Sequence, residues 1–298
     1  MKNELKKITE NQFFNVIDVG ARGGFKDLEQ INSFVKMYGF EPEKESYQAL
    51  LQQYNQFAES HFYQLALSDS ETEQNFYITK HKDMSSFLES DFANFDANFR
   101  EIPDSSRWKE SMEQSHLQKA RMTTLDSFCE GKSIDFVDFL KIDVQGFELK
   151  VLKGAKRLMS ENKIGIIKSE VSFIPIYKKQ PFFADIDLFL RDNDYILIDL
   201  LFYPEAINRM TKAKKSIRRQ EKPKYCISGD AIYLPTNLKS HTIEQKIRMA
   251  TILSCKGYFS NVFSMLENDF SNTEIEKFID IFNKKEPFFK RIWRKINA

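Results

Sequence analysis

The stretch Asn15-Val16-Ile17-Asp18-Val19-Gly20-Ala21-Arg22-Gly23-Gly24 is an apolar run that ends around an acid and then dissolves into glycines. β-Branched residues followed by small ones read as a buried strand that turns sharply into a loop and then a helix. Such a turn makes a nucleotide cradle: glycine lets the backbone approach a ligand and adopt positive φ, and the helix start beyond it offers unpaired N–H groups. The spacing is not G-x-G-x-x-G, so a dinucleotide pyrophosphate is not the first candidate. One unit later, Val35-Lys36-Met37-Tyr38-Gly39-Phe40 reads as a second short strand closed by Glu41-Pro42. In a βαβ nucleotide fold an acid at this distance receives the two ribose hydroxyls, because one carboxylate accepts both. Pro42 is expected to start the next helix, where its missing N–H costs nothing.

Further along, residues 61–67 read as a third strand ending in Ser68-Asp69 at the same rim, with Asp69 placed to accept from an adenine amino group. Alternation disappears between residues 88 and 119, where Phe87, Asp91, Phe92, Phe95 and Phe99 mark one helix and Trp108, Met112 and Leu117 a second. This insertion reads as a lid. Residues 136–142 form a near-continuous apolar run, a central strand covered on both faces, ending at Asp143. The next strand, at residues 164–167, ends at Ser169-Glu170, and residues 195–201 and 228–234 supply two more. Past residue 235 two capping boxes, Thr242-Ile243-Glu244-Gln245 and Ser271-Asn272-Thr273-Glu274, announce helices. The expected organisation is therefore one α/β domain over residues 1–235 and a helical appendage over 236–298. A last helix from Pro287 has an apolar side and a cationic side, suited to an anionic membrane surface or to docking on the protein's own core.

Taken in order, Val16 to Gly24, Phe40-Glu41-Pro42, Ala66-Leu67-Ser68-Asp69, Thr124-Leu125-Asp126-Ser127-Phe128, the run from Phe139 through Asp143 to Glu148, Val151-Leu152-Lys153-Gly154-Ala155 and Gly229-Asp230-Ala231-Ile232-Tyr233 resemble the FkbM-type S-adenosylmethionine-dependent methyltransferases. The resemblance implies a doubly wound, Rossmann-like class I methyltransferase sheet of seven strands with the last one antiparallel. It implies S-adenosylmethionine as cofactor, with Asp18, Gly20, Ala21, Arg22, Gly24, Glu41, Asp69 and Asp143 as its binding candidates. Two residues depart from the pattern: Gln145 stands where the family usually has Glu, and Arg22 where it often has Asn. For catalysis the candidates are Asp143 and Glu170. Asp143 is open to three roles: base, partner of the methionine amino group, or ligand of a divalent ion shared with Glu170. No third ligand is evident, so a metal is not expected.

The chain of 298 residues carries 44 Lys and Arg against 43 Asp and Glu, a formal charge of +1, so no global field draws it to nucleic acid. Neither Asn/Asp-Pro-Pro-Tyr nor a Pro-Cys nucleophile is present, which argues the same way. Charge concentrates locally in Lys212, Lys214, Lys215, Arg218, Arg219, Lys222 and Lys224, opposed only by Glu221. Such a cluster beside a cleft concentrates anions. Lys214, Lys215, Arg218 and Arg219 are thus expected to receive an anionic acceptor, a nucleotide-linked sugar or an acidic glycan. The family resemblance implies O-methylation of small or carbohydrate acceptors, with a sugar hydroxyl in a surface polysaccharide pathway as the leading class. The rival reading is a non-catalytic protein that keeps the fold and docks through its C-terminal helices. Cys129, Cys226 and Cys255 are too scattered for a disulfide framework or a zinc site. With no signal-like start and no apolar run of membrane length, a cytoplasmic location is expected.

Overall fold

A computed structural model of the protein describes residues 13–53, 57–99, 105–202 and 226–283. Its main sheet takes strands β1 (Phe14–Val19), β2 (Val35–Phe40), β3 (Glu59–Tyr63), β7 (Val137–Ile142), β8 (Ile164–Ser172), β9 (Tyr195–Phe202) and β10 (Ser228–Pro235). Their order is β3-β2-β1-β7-β8-β10-β9, with β10 antiparallel to both neighbours. This is the expected doubly wound sheet of seven strands with one antiparallel member. The parallel register brings strand ends to a common rim: Val19 lies beside both Phe40 and Ile142, and Ile142 beside Ser169. Glu41, Gly20 and Asp143 therefore leave the sheet at one edge, with Glu170 beside them in β8, which runs on to Ser172 and so past the expected end at Glu170.

Alternation along the strands feeds two cores, because successive side chains point to opposite faces. Ile17, Val19, Leu140, Ile142 and Ile167 share one cluster with Leu125, Val151 and Ile186. The last three belong to helices α4 (Leu125–Gly131), α5 (Glu148–Lys153) and α7 (Phe183–Arg191). On the other face Phe14, Val16, Phe139, Ile166 and Ile232 share a cluster with Ile247, Leu253, Val262 and Phe278. These come from α8 (Ile243–Cys255), α9 (Phe259–Leu266) and α10 (Asn272–Asn283). The helices expected as an appendage thus form one layer of the domain itself. Every residue of α8 from Ile247 to Ser254 is buried, and a Cβ on Gly165 would lie 2.9 Å from Met249 Sδ, so the helix sits directly on the strand. The last helix expected from Pro287 lies outside the described residues.

A second sheet, β4-β6-β5, comprises β4 (Ala66–Leu67), β5 (Thr72–Thr79) and β6 (Gln114–Thr123). It corrects two expectations. Residues 61–67 are not one strand, because β3 ends at Tyr63 while Ala66 and Leu67 pair with Met122 and Thr123. Leu67 packs into the main core and Ala66 into a separate cluster with Phe76, Phe87 and Phe147, so the two residues answer to different neighbours. Asp69 consequently follows β4 and not β3. The helical part of the insertion is α2 (Phe92–Phe99) and α3 (Ser105–Ser111), whereas Leu117 lies in β6. There a long antiparallel ladder from Thr72↔Met122 to Thr79↔Gln114 decides the conformation. Helix α1 (Lys44–Gln53) likewise starts later than expected. Glu43 caps it by accepting from Glu45 N and Ser46 N, so Pro42 stands outside the first turn.

Candidate active site

A cleft of about 270 Å³ opens at the rim, between the glycine turn, the Glu41 corner, the start of the 143–147 loop and the second sheet. Gly20 has φ +83°, and a Cβ there would come within 1.9 Å of the Asp143 carbonyl oxygen, so only glycine lets the two loops meet. Gly20 N and Ala21 N both donate to Phe40 O, at 3.1 and 3.0 Å, which ties the turn to the end of β2.

Of the expected cofactor residues, Gly20, Arg22, Glu41 and Asp143 line the cleft. Glu41 is 5% exposed. One of its oxygens accepts from Glu43 N at 2.8 Å. Burial pushes its carboxyl up to about 7, against the pull of that N–H and of the Arg22 charge. Asp18 does not reach the wall: it is buried, and Lys141 Nζ lies 3.1 Å from its Oδ1. The same ammonium is 3.5 Å from Asp143 Oδ2, so Asp18 acts on the cleft through Lys141. Burial raises the Asp18 pKa despite that partner. Ala21 and Gly24 belong to the turn without lining the cleft. Asp69 stands apart as well, accepting from Lys150 Nζ at 2.6 Å. Burial alone would raise its carboxyl, but that bond and the Lys150 charge hold it low.

The two expected catalytic acids are brought together by a residue between them. Gln145 Nε2 donates to Asp143 Oδ1 at 3.2 Å and to Glu170 Oε2 at 2.9 Å. Tyr177 OH lies 3.4 Å from Gln145 Oε1, and Gln145 itself is held at φ +55°. Burial, followed by repulsion from Asp143 and Glu148, pushes Glu170 well above the usual carboxylate range. Glu148 shapes the loop from below, accepting from Val144 N and Gly146 N at 3.1 Å each. Its own carboxyl is pushed up to about 7, chiefly by burial. Among the described residues no group of three or more His, Cys, Asp or Glu is placed to hold a metal ion. Lys214, Lys215, Arg218 and Arg219 lie outside the described residues.

The cleft also draws on residues the sequence reading did not single out for it. Phe76, Phe87 and Phe147 line one wall, with ring centroids 4.6 and 5.1 Å apart in succession. Lys82 and Asp83 line the cleft as well. The signal for Lys141 was present: a lone cation in a central strand that is apolar but for Asp138 has to be paired.

These residues fit S-adenosylmethionine. Glu41 offers a buried carboxylate in want of donors, which the ribose hydroxyls supply. The phenylalanine wall suits a flat apolar base, the absent side chain of Gly20 leaves the backbone open to close approach, and Asp143 offers a charge for an amino group. The bound cofactor supplies a methyl group already activated by a sulfonium.

The chain matches the family described as Methyltransferase FkbM domain over residues 18–197, more than half its length. No curated protein matches it. Among solved structures it is similar to methyltransferase FkbM from Methylobacillus flagellatus KT, with 15% identity and a TM-score of 0.39, covering 74% of this chain and 43% of that one. The chain thus spans less than half the length of that protein. It is also similar to magnesium protoporphyrin IX methyltransferase (ChlM) from Synechocystis PCC 6803 with bound SAM, at 10% identity and a TM-score of 0.35, over 78% and 76% of the two chains. The bifunctional kinase-methyltransferase WbdD follows at 12% identity and a TM-score of 0.33, over 79% of this chain and 37% of that one.

Proposed function

The chain belongs to the FkbM methyltransferase family and is an S-adenosylmethionine-dependent methyltransferase, and on that premise we propose that its acceptor is the hydroxyl of a sugar or another small anionic molecule. The observation that carries this reading is the pair Asp143 and Glu170, joined through Gln145: Asp143 and Gln145 line the cofactor cleft and Glu170 stands behind them. An alcohol is a poor nucleophile until its proton leaves, and a positioned base contributes about 10²–10⁴-fold. Glu170, held above the usual range, binds a proton more tightly than a solvated carboxylate does. Asp143 stands on the cleft wall, where it orients the acceptor hydroxyl or the cofactor's amino group. Alignment of acceptor and methyl for in-line displacement supplies roughly 7–11 kcal/mol of the barrier.

The anionic character of the acceptor rests on the basic run around Lys214, Lys215, Arg218 and Arg219. Both ends of the chain flanking that run lie at the catalytic rim: Phe202 pairs with Gly229, and Asp230 with Glu170. A nucleotide-linked sugar or an acidic glycan of a surface polysaccharide pathway, handled in the cytoplasm, fits these features better than nucleic acid does. Contact of the last helix with an anionic membrane belongs to the same proposal. Among the described residues no helix is long and apolar enough to cross a membrane.

The test is methyl transfer from labelled S-adenosylmethionine to a panel of nucleotide sugars and acidic oligosaccharides. Transfer should rise with pH as Glu170 ionises and should fall by at least about 10²-fold in Glu170→Gln. Replacing Lys214, Lys215, Arg218 and Arg219 with Ser should raise KM for the acceptor alone. A Glu170→Gln enzyme with an unchanged rate and pH profile would remove the base from the scheme.

A further inference from the structure

The short turn between β5 and α2 is attached along two edges of different character. On its inner edge the bonds are shielded from water. Ser86 Oγ donates to Gln145 O at 2.6 Å, and Tyr177 OH donates to Met84 O at 2.9 Å, with Ser86 1% and Tyr177 2% exposed. On its outer edge the bonds are ion pairs, each with at least one partner in contact with solvent, Glu43 alone among them being buried. Arg22 Nε lies 3.1 Å from Asp83 Oδ1, with side chains 29% and 64% exposed. Lys82 Nζ lies 3.2 Å from Glu43 Oε2 and also contacts Glu45. Arg22 comes from the glycine turn, and Glu43 follows the ribose corner by two residues. The outer pairs therefore fasten the second sheet onto the two elements that hold the cofactor.

Lys82, Asp83, Ser85 and Phe87 of this turn line the cofactor cleft together with Gly20 and Arg22 after β1 and Glu41 after β2. We infer that Arg22 and Asp83, with Lys82 and Glu43, are positioning residues of the cofactor site: they latch the 82–87 turn across the cleft, and the cofactor exchanges when the latch opens about the Ser86 and Tyr177 bonds. Arg22 thus serves by fastening a wall of the cleft. The Arg22–Asp83 and Lys82–Glu45 pairs are exposed, and an exposed ion pair holds weakly and is screened by salt, whereas the buried inner bonds are not, so the outer edge is the one that gives. Asp83 also has the His81 ring 3.4 Å away, a second partner at the same exposed corner. The inference rests on the cofactor reading of the cleft and concerns how the cofactor is retained.

The experiment is surface plasmon resonance on the whole chain with S-adenosylhomocysteine as probe. Dissociation should quicken between about 0.05 and about 0.5 M sodium chloride. Asp83→Asn should quicken it by about two- to fivefold at low salt and flatten the salt dependence, since an exposed pair contributes little more than that. Lys82→Gln should do the same, and Asp83→Glu should restore the parent behaviour, which a merely structural role for position 83 does not require. Thermal melting checks that each variant is folded, and Asp83, being exposed, is a site where it should be. Dissociation that stays unchanged by salt, by Asp83→Asn and by Lys82→Gln would overturn the latch while leaving the cofactor site standing. No binding by the parent protein at all would instead overturn the cofactor reading.

Discussion

Glu41 makes cofactor affinity a function of pH. In solution its carboxyl would titrate near 4.5, whereas burial pushes it up to about 7. A folded-state value above the unfolded one means that the folded protein binds the proton more tightly. The stabilisation is complete below 4.5 and is lost as pH rises through about 7. The interval, at 1.36 kcal/mol per pH unit, corresponds to about 3 kcal/mol. Ribose hydroxyls donate, so they demand the ionised carboxylate, and binding below pH 7 has to expel the proton. Affinity for S-adenosylhomocysteine should therefore rise by up to about tenfold per pH unit between about 5 and 7 and then level off. Calorimetry at about pH 6, in two buffers of different ionisation enthalpy, should report release of about one proton on binding. Glu148, at about 7, and Asp138, at about 6, are also held up by burial, so the comparison with Glu41→Gln isolates the Glu41 contribution. That variant should bind more weakly and with little pH dependence. Equal binding enthalpies in the two buffers for the parent protein would refute the assignment of Glu41 to the ribose.

Two further substitutions test the frame around the site. Gly20→Ala places a side chain 1.9 Å from a backbone oxygen at φ +83°, and the left-handed conformation alone costs about 1–2 kcal/mol; both melting temperature and S-adenosylhomocysteine affinity should fall, the affinity more than in any surface variant. Ile252→Ala, at a fully buried position of α8, should cost about 2–5 kcal/mol in urea unfolding, a loss in one cooperative transition with the sheet if the C-terminal helices are a layer of the domain.

The parts of the fold legible from sequence are those set by neighbours close in the chain. The glycine turn, the Glu41 corner and the end of β7 each carry a local signature, a strand period running into small or acidic residues, and each is found where the period places it, whereas β8 runs past Glu170 to Ser172 because Ser228 and Gly229 of the antiparallel β10 extend its ladder. The second sheet was not legible because its pairings are distant: nothing near Ala66 and Leu67 announces that Met122 and Thr123 will be their partners. The same holds for the lining of the cleft. Phe76 lies in a strand and Phe87 precedes α2 although its spacing reads as part of that helix, and only the folded chain brings the two to Phe147. The tail was legible as helices but not as a wall. Amphipathic spacing shows that a helix has an apolar face without showing what the face meets, and here it meets Phe139 and Ile166 of the sheet.

The charges at the ends of the strands explain how so acidic a site is tolerated. Glu41, Asp143, Glu148 and Glu170 gather at one rim, and buried acids without partners would cost several kcal/mol each. Cations on one sheet face answer some of them. Lys141 stands between Asp18 and Asp143, and although burial pulls its ammonium down, those carboxylates hold it well above the usual range. In the next strand Lys168 lies 3.1 Å from Asp27 and 2.9 Å from Asp230, and Lys256, just beyond α8, reaches Asp27 at 2.5 Å. A wholly negative cleft would favour the sulfonium ground state over the transition state, in which that positive charge is already dispersing, and only the difference between the two accelerates transfer. By pairing Asp18 and Asp143, Lys141 limits how much negative field reaches the cleft, while Glu170 is set behind the neutral amide of Gln145.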